Sequence, residues 1–325
     1  FFFFFFFFFF SPPPPPPGQD STGVSHILEH TALCGSARYP CRDPFFKMLT
    51  RSLSTFMNAF TASDFTMYPF STTNSVDYRN LLSVYLDAAL RPNLRRLDFL
   101  QEGWRLEHRD PQDAATPLIL KGVVFNEMKG ALSSADSLFH TRCQQHLHPG
   151  TTYSHVSGGD PPAILDLTWK QLRAFHAEHY HPSNAFFLSY GDIPVQEHLA
   201  FIDHEYLGAV SPISTDHLRV ADEQRWTAPR AFSVPGPEDP LAADPTRQTR
   251  FSLSFLLHNT TDPYETLVFR ILQVSRSRKK KIKKKKRKRI GGGGGGGKKK
   301  ETKKKEAFLK PGIILLFLSF LFFFF

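Results

Sequence analysis

The segment from Gly23 to His30 constrains this chain most, because it places two imidazoles and a carboxylate at helical spacing. Its sequence is GVSHILEH, with His26 and His30 four residues apart and Glu29 directly before the second histidine. At about 100° per residue, an α-helix brings all three side chains within about a third of a turn of one another. We therefore predict a helix over residues 25–33 that presents two nitrogen ligands and a base on one face.

This arrangement suits a zinc ion. Imidazole nitrogen is a good zinc ligand, and catalytic zinc sites use three protein ligands and leave the fourth position to water. The H-x-x-E-H order is the inverted zinc-peptidase pattern, in which the glutamate takes a proton from that water. The motif alone leaves open a second interpretation, an ordinary surface or core helix that carries two histidines.

Hydrophobic periodicity beyond the motif predicts an α+β body. Apolar residues recur at helical spacing in four segments, which predicts helices at 45–54, 76–90, 97–107 and 120–132. A fifth helix is predicted at 169–179, between a polar start and a proline. Residues 55–70 alternate and are rich in Phe, Thr and Tyr, which predicts a β-hairpin. Further strands are expected at 184–190 and 249–257. A second histidine group at 176–181 also has suitable atoms for a metal site.

The two ends of the chain differ in composition from the body. Residues 1–10 are all Phe, residues 12–17 are all Pro, and a Lys, Gly and Phe tail ends the chain. Such tracts cannot specify a packed core, so residues 1–19 and 275–325 are expected to lie outside the fold. Runs of a single DNA base encode these same residue types, and we interpret both ends as translated low-complexity DNA joined to the body.

The basic charge of the chain belongs to its tail. Residues 276–310 contain 19 Lys and Arg against Glu301 and Glu306, a local charge of +17, whereas the whole chain carries +10. The rest is therefore acidic, at −7. A nucleic-acid-binding protein would carry its basic residues on the folded body, so no nucleic-acid partner is expected. The lysine run has a second interpretation, a localisation or polyanion-binding segment.

Two further features limit the class of protein. The apolar stretch 313–325 has 13 residues, fewer than the ~20 that span a bilayer, so stable membrane insertion is not expected. The chain has three cysteines, Cys34, Cys41 and Cys143. They are too few for a disulfide framework and suit a reducing compartment.

Four more segments extend the zinc motif. They are LCGS at 33–36, YPCRDPFFK at 39–47, STFMNAFTASD at 54–64 and FNEMKG at 125–130. Together with the motif, and with matching spacing from about residue 20 to residue 262, they closely resemble the pitrilysin (M16) family of zinc metallopeptidases. The resemblance implies an α+β, processing-peptidase-like domain with a mixed sheet packed with helices. It also implies an N-terminal catalytic fragment, truncated at both ends.

The resemblance divides the body into parts. It implies a catalytic domain at 20–210 without its first strands, a linker at 211–240 and the start of a second M16-like domain at 241–274. In the family, a second half of the chain supplies an Arg and a Tyr that stabilise the tetrahedral intermediate. Removing such donors typically costs ~10² to 10³ in rate, so this chain is expected to have reduced or no activity. A sheet without its first strands would also expose an edge.

The third zinc ligand is not fixed by spacing. Three glutamates lie downstream of the motif, namely Glu102, Glu107 and Glu127. The number of residues that usually separates the motif from the third ligand in the family would even favour Glu107. The segment 122–130 resembles the one that carries the distal ligand in the family, which implies Glu127. The other two glutamates are then expected at the surface or beside a ligand. A carboxylate hydrogen-bonded to a ligating imidazole is expected, but the sequence does not identify it.

The site that the resemblance implies can be stated in full. One Zn²⁺ per chain is bound by His26, His30 and Glu127, and Glu29 is the catalytic base. An extended peptide binds along an edge strand, which the segment from Asn58 to Thr61 resembles, with Asn58, Ala59 and Phe60 as the substrate-binding residues. An apolar pocket for the residue after the scissile bond would be formed by Leu33, Phe45, Phe46 and Leu49. Plain core packing is the alternative for these four.

The function implied is that of a zinc metalloendopeptidase of the mitochondrial matrix. Its substrates would be unfolded peptides such as mitochondrial targeting presequences, which full-length, monomeric relatives enclose in a chamber. One alternative is a non-catalytic M16-like structural subunit, which would be expected to have lost a motif residue, yet all three are intact. The other alternative is a nucleic-acid-binding protein that acts through its basic tail.

Overall fold

The computed structural model of the chain describes residues 4–10, 21–238, 244, 246–257 and 262–272. Two compact units are present, Phe1–Gln248 and Thr249–Phe325. The helices of the first unit are α1 (Val24–Ala32), α2 (Pro44–Arg51), α3 (Ser75–Leu90), α4 (Arg96–Glu102), α5 (Val123–Ala131), α6 (Ala135–Leu147), α7 (Pro161–Ile164), α8 (Trp169–His179) and α9 (Val195–Ile202). Its strands are β1 (Phe4–Phe10), β2 (Ser54–Met57), β3 (Phe60–Thr61), β4 (Thr66–Met67), β5 (Phe70–Thr72), β6 (Arg105–His108), β7 (Leu118–Lys121) and β8 (Ala185–Tyr190).

The main sheet is built around a bent hairpin. Strand β2 pairs with β5 and β3 pairs with β4, so the predicted hairpin is present with an interruption in the middle. Strand β1 lies between β8 on one side and β4 and β5 on the other. Strands β6 and β7 form a separate two-stranded sheet. The α+β class is confirmed, but every pairing among the described strands is antiparallel, unlike the mixed sheet that was predicted.

Strand β1 corrects the prediction that residues 1–19 lie outside the fold. Its backbone pairs with β5 at Phe4–Phe6, with β4 at Phe9–Phe10, and with β8 at Phe5–Phe10. Strand pairing uses backbone groups that every residue except proline offers in full, and phenylalanine favours strands. The phenylalanine run therefore takes the position that the prediction left empty. Residues 11–19, and the predicted tail at 275–325, lie outside the described residues.

Helix α3 supplies the centre of the core, as its spacing predicted. The Asn74 side chain caps it by accepting hydrogen bonds from the backbone N–H groups of Val76 and Asp77. The five side chains predicted on its buried face are all buried, namely Leu81, Leu82, Tyr85, Leu86 and Ala89. They belong to one cluster with Ile27 of α1 and Phe70 of β5. Fully burying a large apolar side chain stabilises the fold by about 1.5–3 kcal/mol.

Two predicted helices have the wrong bounds, and a glycine lies at the incorrectly predicted end of each. The helix predicted at 97–107 stops at Glu102, and Gly103 separates it from β6. The helix predicted at 120–132 begins only after Gly122, and the residues before it form β7. Strands β6 and β7 pair with each other, so their backbone groups are satisfied without a helix.

The later elements follow the prediction more closely. Helix α8 has the predicted bounds and begins with a capping box between Thr168 and Gln171. In the second unit, residues 263–272 form a helix, whereas the strand predicted at 249–257 is not formed among the described residues. The described part of the chain has no helix with the length and apolarity needed to cross a membrane. Cys34, Cys41 and Cys143 form no disulfide in the part of the chain that the structure describes.

Buried His198 makes stability depend on pH. Its Nδ1 lies 2.9 Å from the Tyr78 hydroxyl and 2.6 Å from the Ser189 hydroxyl, while its Nε2 has no hydrogen-bond partner among the described residues. Burial lowers the pKa of His198; the Glu197 carboxylate opposes this and the Arg79 cation adds to it. Below the ordinary histidine pKa of about 6.5, the unfolded chain therefore binds this proton more readily than the folded chain. Stability contributed by neutral His198 is thus lost as the pH falls.

We expect His198→Gln to reduce the loss of stability between pH 7.5 and pH 5.5. Each unit by which the pKa is lowered corresponds to about 1.4 kcal/mol. Urea unfolding at the two pH values, followed by circular dichroism, measures the difference. The control is His204→Gln, because the His204 side chain is 84% exposed. Equal pH dependence in the two variants would contradict the prediction.

Candidate metal centre

Helix α1 holds the three motif residues on one face. The rings of His26 and His30 meet edge to face, with centroids 4.9 Å apart and an angle of 81° between the planes. His26 and Glu29 are buried, and His30 is partly buried. The spacing of the motif therefore produces the shared face that it predicted.

The outer nitrogen of each imidazole is already engaged. His26 Nδ1 lies 3.0 Å from the carbonyl oxygen of Gly158, and His30 Nδ1 lies 3.1 Å from Glu102 Oε2. A carbonyl or carboxylate oxygen only accepts hydrogen bonds, so each Nδ1 carries the proton and donates it. Each Nε2 is then left with a free lone pair, which is the form in which imidazole binds a metal.

The pKa shifts of His30 and Glu102 agree with this pairing. Burial acts to lower the pKa of His30, but the hydrogen bond with Glu102 and the nearby carboxylates outweigh it and raise the pKa. Burial acts to raise the pKa of Glu102, but hydrogen bonds from His30 and Gln101 lower it below its ordinary value. Negative charge therefore collects around the imidazoles, and such a site favours a cation.

Glu127 of α5 completes a cluster of three possible ligands. Its Oε2 lies 3.8 Å from His26 Nε2 and 3.9 Å from His30 Nε2. One donor atom from each residue falls within 4.8 Å of the others. In a tetrahedral zinc site with bonds of about 2.0–2.1 Å, donor atoms are about 3.4 Å apart. The three residues therefore fit a zinc ion in donor type, and their donor atoms would move closer together by up to about 1.4 Å around it.

The geometry also places the other two candidate glutamates. Glu102 bonds to the outer nitrogen of His30, so it supports a member of the cluster and is not itself in it. Glu107 lies on β6, where Arg105 and Lys121 form ion pairs with its two carboxylate oxygens at 2.6 Å and 2.9 Å. These contacts engage Glu107 within the β6–β7 sheet.

Glu29 lies beside this cluster with a hydrogen bond of its own. Thr61 Oγ1 donates to Glu29 Oε2 at 2.6 Å. Burial raises the pKa of Glu29, and the Thr61 hydrogen bond and the two imidazoles only partly offset the rise. A carboxylate with a raised pKa is a stronger base at neutral pH than an exposed one.

Gly23 lets α1 approach the loop that holds His26. Its φ of 68° lies in the left-handed region, and a Cβ there would lie 2.7 Å from the carbonyl oxygen of Gly158. The same loop is tied to the start of α1 by a hydrogen bond from Asp160 N–H to Ser21 O at 2.7 Å. A glycine at 23 therefore permits the contact that fixes the His26 ring.

Gly122 likewise permits a close backbone contact at the start of α5. A Cβ there would lie 1.9 Å from the carbonyl oxygen of Gly103, directly after α4. This contact sets the helix that carries Glu127 against the helix that carries Glu102. One close backbone contact therefore holds the two helices that carry Glu127 and Glu102.

The predicted substrate pocket is divided between core and surface. Leu33 and Phe45 are partly buried and pack against the core. Phe46 and Leu49 protrude from α2 and are 67% and 45% exposed. Core packing therefore accounts for the first two side chains and not for the last two.

Strand β3 has a free edge next to Glu29. Among the described strands it pairs with β4 alone. The backbone hydrogen bonds that flank this pairing are Ala62 N–H to Phe65 O (2.8 Å) and Asn58 N–H to Pro69 O (3.1 Å). Since bonded and non-bonded positions alternate along an antiparallel pair, the backbone of Ala59 and Thr61 points away from β4. The Ala59 N–H donates to the Asn58 side chain, and Phe60 is exposed beside it.

Two contacts of this site were not assigned from the sequence. One is the Gly158 carbonyl, since a backbone oxygen carries no residue-type signal; the adjacent glycines at 158 and 159 were the available hint. The other is the Thr61 hydroxyl, which appeared in the sequence only as part of the edge-strand segment. The sequence alone allows Glu102 to be either a surface residue or a neighbour of a ligand.

Comparison with known proteins places this geometry in a family. The family model described as Insulinase (Peptidase family M16) matches residues 18–124, and the one described as Peptidase M16 inactive domain matches residues 166–275. A relative named "Presequence protease, mitochondrial" from Xenopus tropicalis is 57% identical over 253 residues, which cover 78% of this chain and 24% of the relative. The chain belongs to the M16 peptidase family. The M16 match at 18–124 includes the motif on α1 and ends three residues before Glu127.

Further relatives of this M16 chain carry the same name. The protein from Mus musculus is 56% identical over 253 residues and that from Schizosaccharomyces pombe 51% over 256 residues, each covering 78% of this chain. The chain spans about a quarter of the length of these relatives, 24% and 25% respectively. Their names include the word mitochondrial, in agreement with the mitochondrial location that the resemblance implies.

Solved structures agree with the M16 fold. A protease from Helicobacter pylori aligns with a TM-score of 0.52 at 18% identity, over 73% of this chain and 49% of that chain. The peptidase M16 inactive domain from Pseudomonas fluorescens aligns with a TM-score of 0.50 at 16% identity, over 68% and 48% of the two chains. At these identities the likeness concerns the fold alone.

Proposed function

We propose that this chain carries a zinc-dependent metalloendopeptidase site, with His26, His30 and Glu127 as the ligands of one Zn²⁺. The observation that supports it most is the convergence of both Nε2 atoms on the Glu127 carboxylate while both Nδ1 atoms are engaged elsewhere. Two imidazoles and one carboxylate form the donor set of catalytic zinc sites that leave a position open. When bound, zinc lowers the pKa of a water molecule and polarises the scissile carbonyl.

Glu29 is the base in this proposal. It precedes a ligand directly in sequence, it is buried, and its pKa is raised mainly by that burial. It would take a proton from the attacking water and pass it to the leaving amine, as general acid–base catalysis requires. Thr61 leaves Glu29 Oε1 free for this exchange, because its hydrogen bond goes to Oε2.

The proposed substrate is an extended, unfolded peptide. The outward backbone of Ala59 and Thr61 would pair with it as an added strand, and the Asn58 side chain now meets the Ala59 N–H where a peptide carbonyl would bind. Exposed Phe46 and Leu49 would contact its apolar side chains. The relatives are named as presequence proteases, so we propose targeting presequences in the mitochondrial matrix as the substrates.

Zinc content tests the proposal directly. Elemental analysis of the purified full chain is expected to find about one zinc per chain, and Glu127→Gln is expected to bind much less, because an amide is a poorer zinc ligand than a carboxylate. Glu107→Gln is the control, since Glu107 is paired on β6 away from the cluster. A folded parent chain without zinc, or equal zinc in all three proteins, would refute the proposed site.

A further inference from the structure

Thr61 joins two parts of the site that are otherwise separate. Its hydroxyl donates to the base, Glu29, at 2.6 Å. Its backbone faces the free edge of β3, where a peptide strand would add. Among the described residues, no other side chain donates a hydrogen bond to Glu29.

We propose that Thr61 is a positioning residue that holds Glu29 beside the zinc ligands and off the metal, from the strand to which the substrate adds. This inference rests on the proposed zinc peptidase function. It gives Thr61 a role through Glu29 and no contact of its own with the reacting atoms.

The need for such a residue follows from the chemistry of carboxylates. A carboxylate binds zinc as readily as it acts as a base, and Glu29 is close enough to interact with the charges of His26, His30 and Glu127. Yet the cluster of converging donor atoms among the described residues contains those three and not Glu29. If Glu29 occupied the open coordination position of the metal, no water molecule could bind there, and Glu29 could no longer accept a proton from it.

The hydrogen bond is suited to prevent this. An O–H to carboxylate bond of 2.5–2.7 Å is of the short, charge-assisted kind, about twice as strong as a neutral one. The 2.6 Å bond from Thr61 is of this kind. Thr61 lies opposite Thr66 in the β3–β4 pair, and its neighbour Ala62 donates a backbone hydrogen bond to Phe65 O. Glu29 is thereby anchored through one oxygen.

The same contact links the base to substrate binding. A peptide that pairs with the outward backbone of Thr61 would order β3, and with it the hydroxyl that orients Glu29. The base would then be best aligned when a peptide is bound. A misplacement of about 1 Å can cost 10²-fold in rate, so small changes in β3 matter.

Cobalt serves as the probe, because it can replace zinc and its visible absorption depends on the number and the type of its ligands. The experiment loads the full chain with Co²⁺ and compares the parent with Thr61→Val, Thr61→Ser and Thr55→Val. Thr55 is the matched control, since it lies in the same hairpin and its hydroxyl bonds to Ser71 at 2.8 Å. In Thr61→Val we expect the visible bands to shift, because the Glu29 carboxylate replaces water as the fourth ligand, and we expect the parent spectrum in Thr61→Ser and Thr55→Val.

Two further measurements separate positioning from structure. Adding Glu29→Gln to Thr61→Val is expected to restore the parent spectrum, because the amide is a poor ligand. With zinc and a peptide substrate, Thr61→Val is expected to lower kcat by about 10- to 100-fold with KM nearly unchanged, and Thr61→Ser to recover most of it.

Each outcome decides between the proposals. A parent chain that binds no cobalt and no zinc refutes the peptidase site itself, and the role of Thr61 with it. A parent that binds cobalt, with an unchanged spectrum and kcat in Thr61→Val, refutes the role of Thr61 alone. Thr61→Ala replaces the valine variant if that does not fold, and failure of both to fold would show a structural role and overturn the inference.

Discussion

Replacing Glu29 by glutamine is expected to lower kcat/KM for peptide hydrolysis by a factor of about 10² to 10⁴ and to leave zinc bound. Glutamine keeps the shape of the side chain and can still accept the Thr61 hydrogen bond. It cannot take a proton at neutral pH. The ligand cluster does not include Glu29, so zinc content should match that of the parent.

Cleavage of a quenched fluorescent peptide by the full chain, with zinc measured on the same sample, tests this prediction. The thermal unfolding midpoint should not fall, because burial disfavours the charged form of Glu29 and glutamine carries no charge. Glu107→Gln is the control for loss of a carboxylate away from the cluster. If Glu29→Gln hydrolyses the peptide as fast as this control, Glu29 is not the base.

The motif helix could be predicted because its information is local. His26 and His30 are one helical turn apart, and the same spacing that forms α1 also brings their rings within 4.9 Å of each other. The core face of α3 could be predicted in the same way. In both cases the pattern of residue types is the cause of the structure, so reading the pattern is enough.

The support around the imidazoles depends on contacts distant in sequence. Glu102 is 72 residues from His30, and Gly158 is 132 residues from His26. Three glutamates had the right chemistry for the third ligand, and helix periodicity says nothing about which of them folds back onto α1. For Glu127 the choice came from family resemblance, and the structure places its carboxylate in the cluster.

Strand β1 marks another limit of pattern reading. A run of identical residues has no alternation, so it gives no sign of which face is buried or of its register. The low complexity of Phe4–Phe10 therefore suggested a segment without structure, yet its backbone pairs on both sides. Backbone pairing needs no pattern of side chains.

The two glycines at the wrong helix bounds, Gly103 and Gly122, are a sequence signal for the ends of these helices. Gly103 and Gly122 each mark a point where a helix stops or starts, as isolated glycines often do. The structure adds a reason that the sequence does not give, which is that the two residues meet each other. Their contact joins α4 to α5.

Gly122→Ala is expected to destabilise the fold by about 3 kcal/mol, the upper end of the usual cost of overpacking. The new Cβ would lie 1.9 Å from the Gly103 carbonyl oxygen and 2.7 Å from its carbonyl carbon. Both are backbone atoms, so no side chain can rotate away. The start of α5 must shift, and Glu127 shifts with it, so zinc affinity should fall as well.

Gly130→Ala is the matched variant, because it lies in the same helix and a Cβ there meets nothing within 4 Å. Alanine favours the helix over glycine by about 0.5–1 kcal/mol, so this variant should be more stable than the parent. Urea unfolding of the two variants should therefore give shifts of opposite sign. Equal shifts would mean that α4 and α5 can separate at little cost, and then the close contact at Gly122 would not be what holds Glu127 opposite His26 and His30.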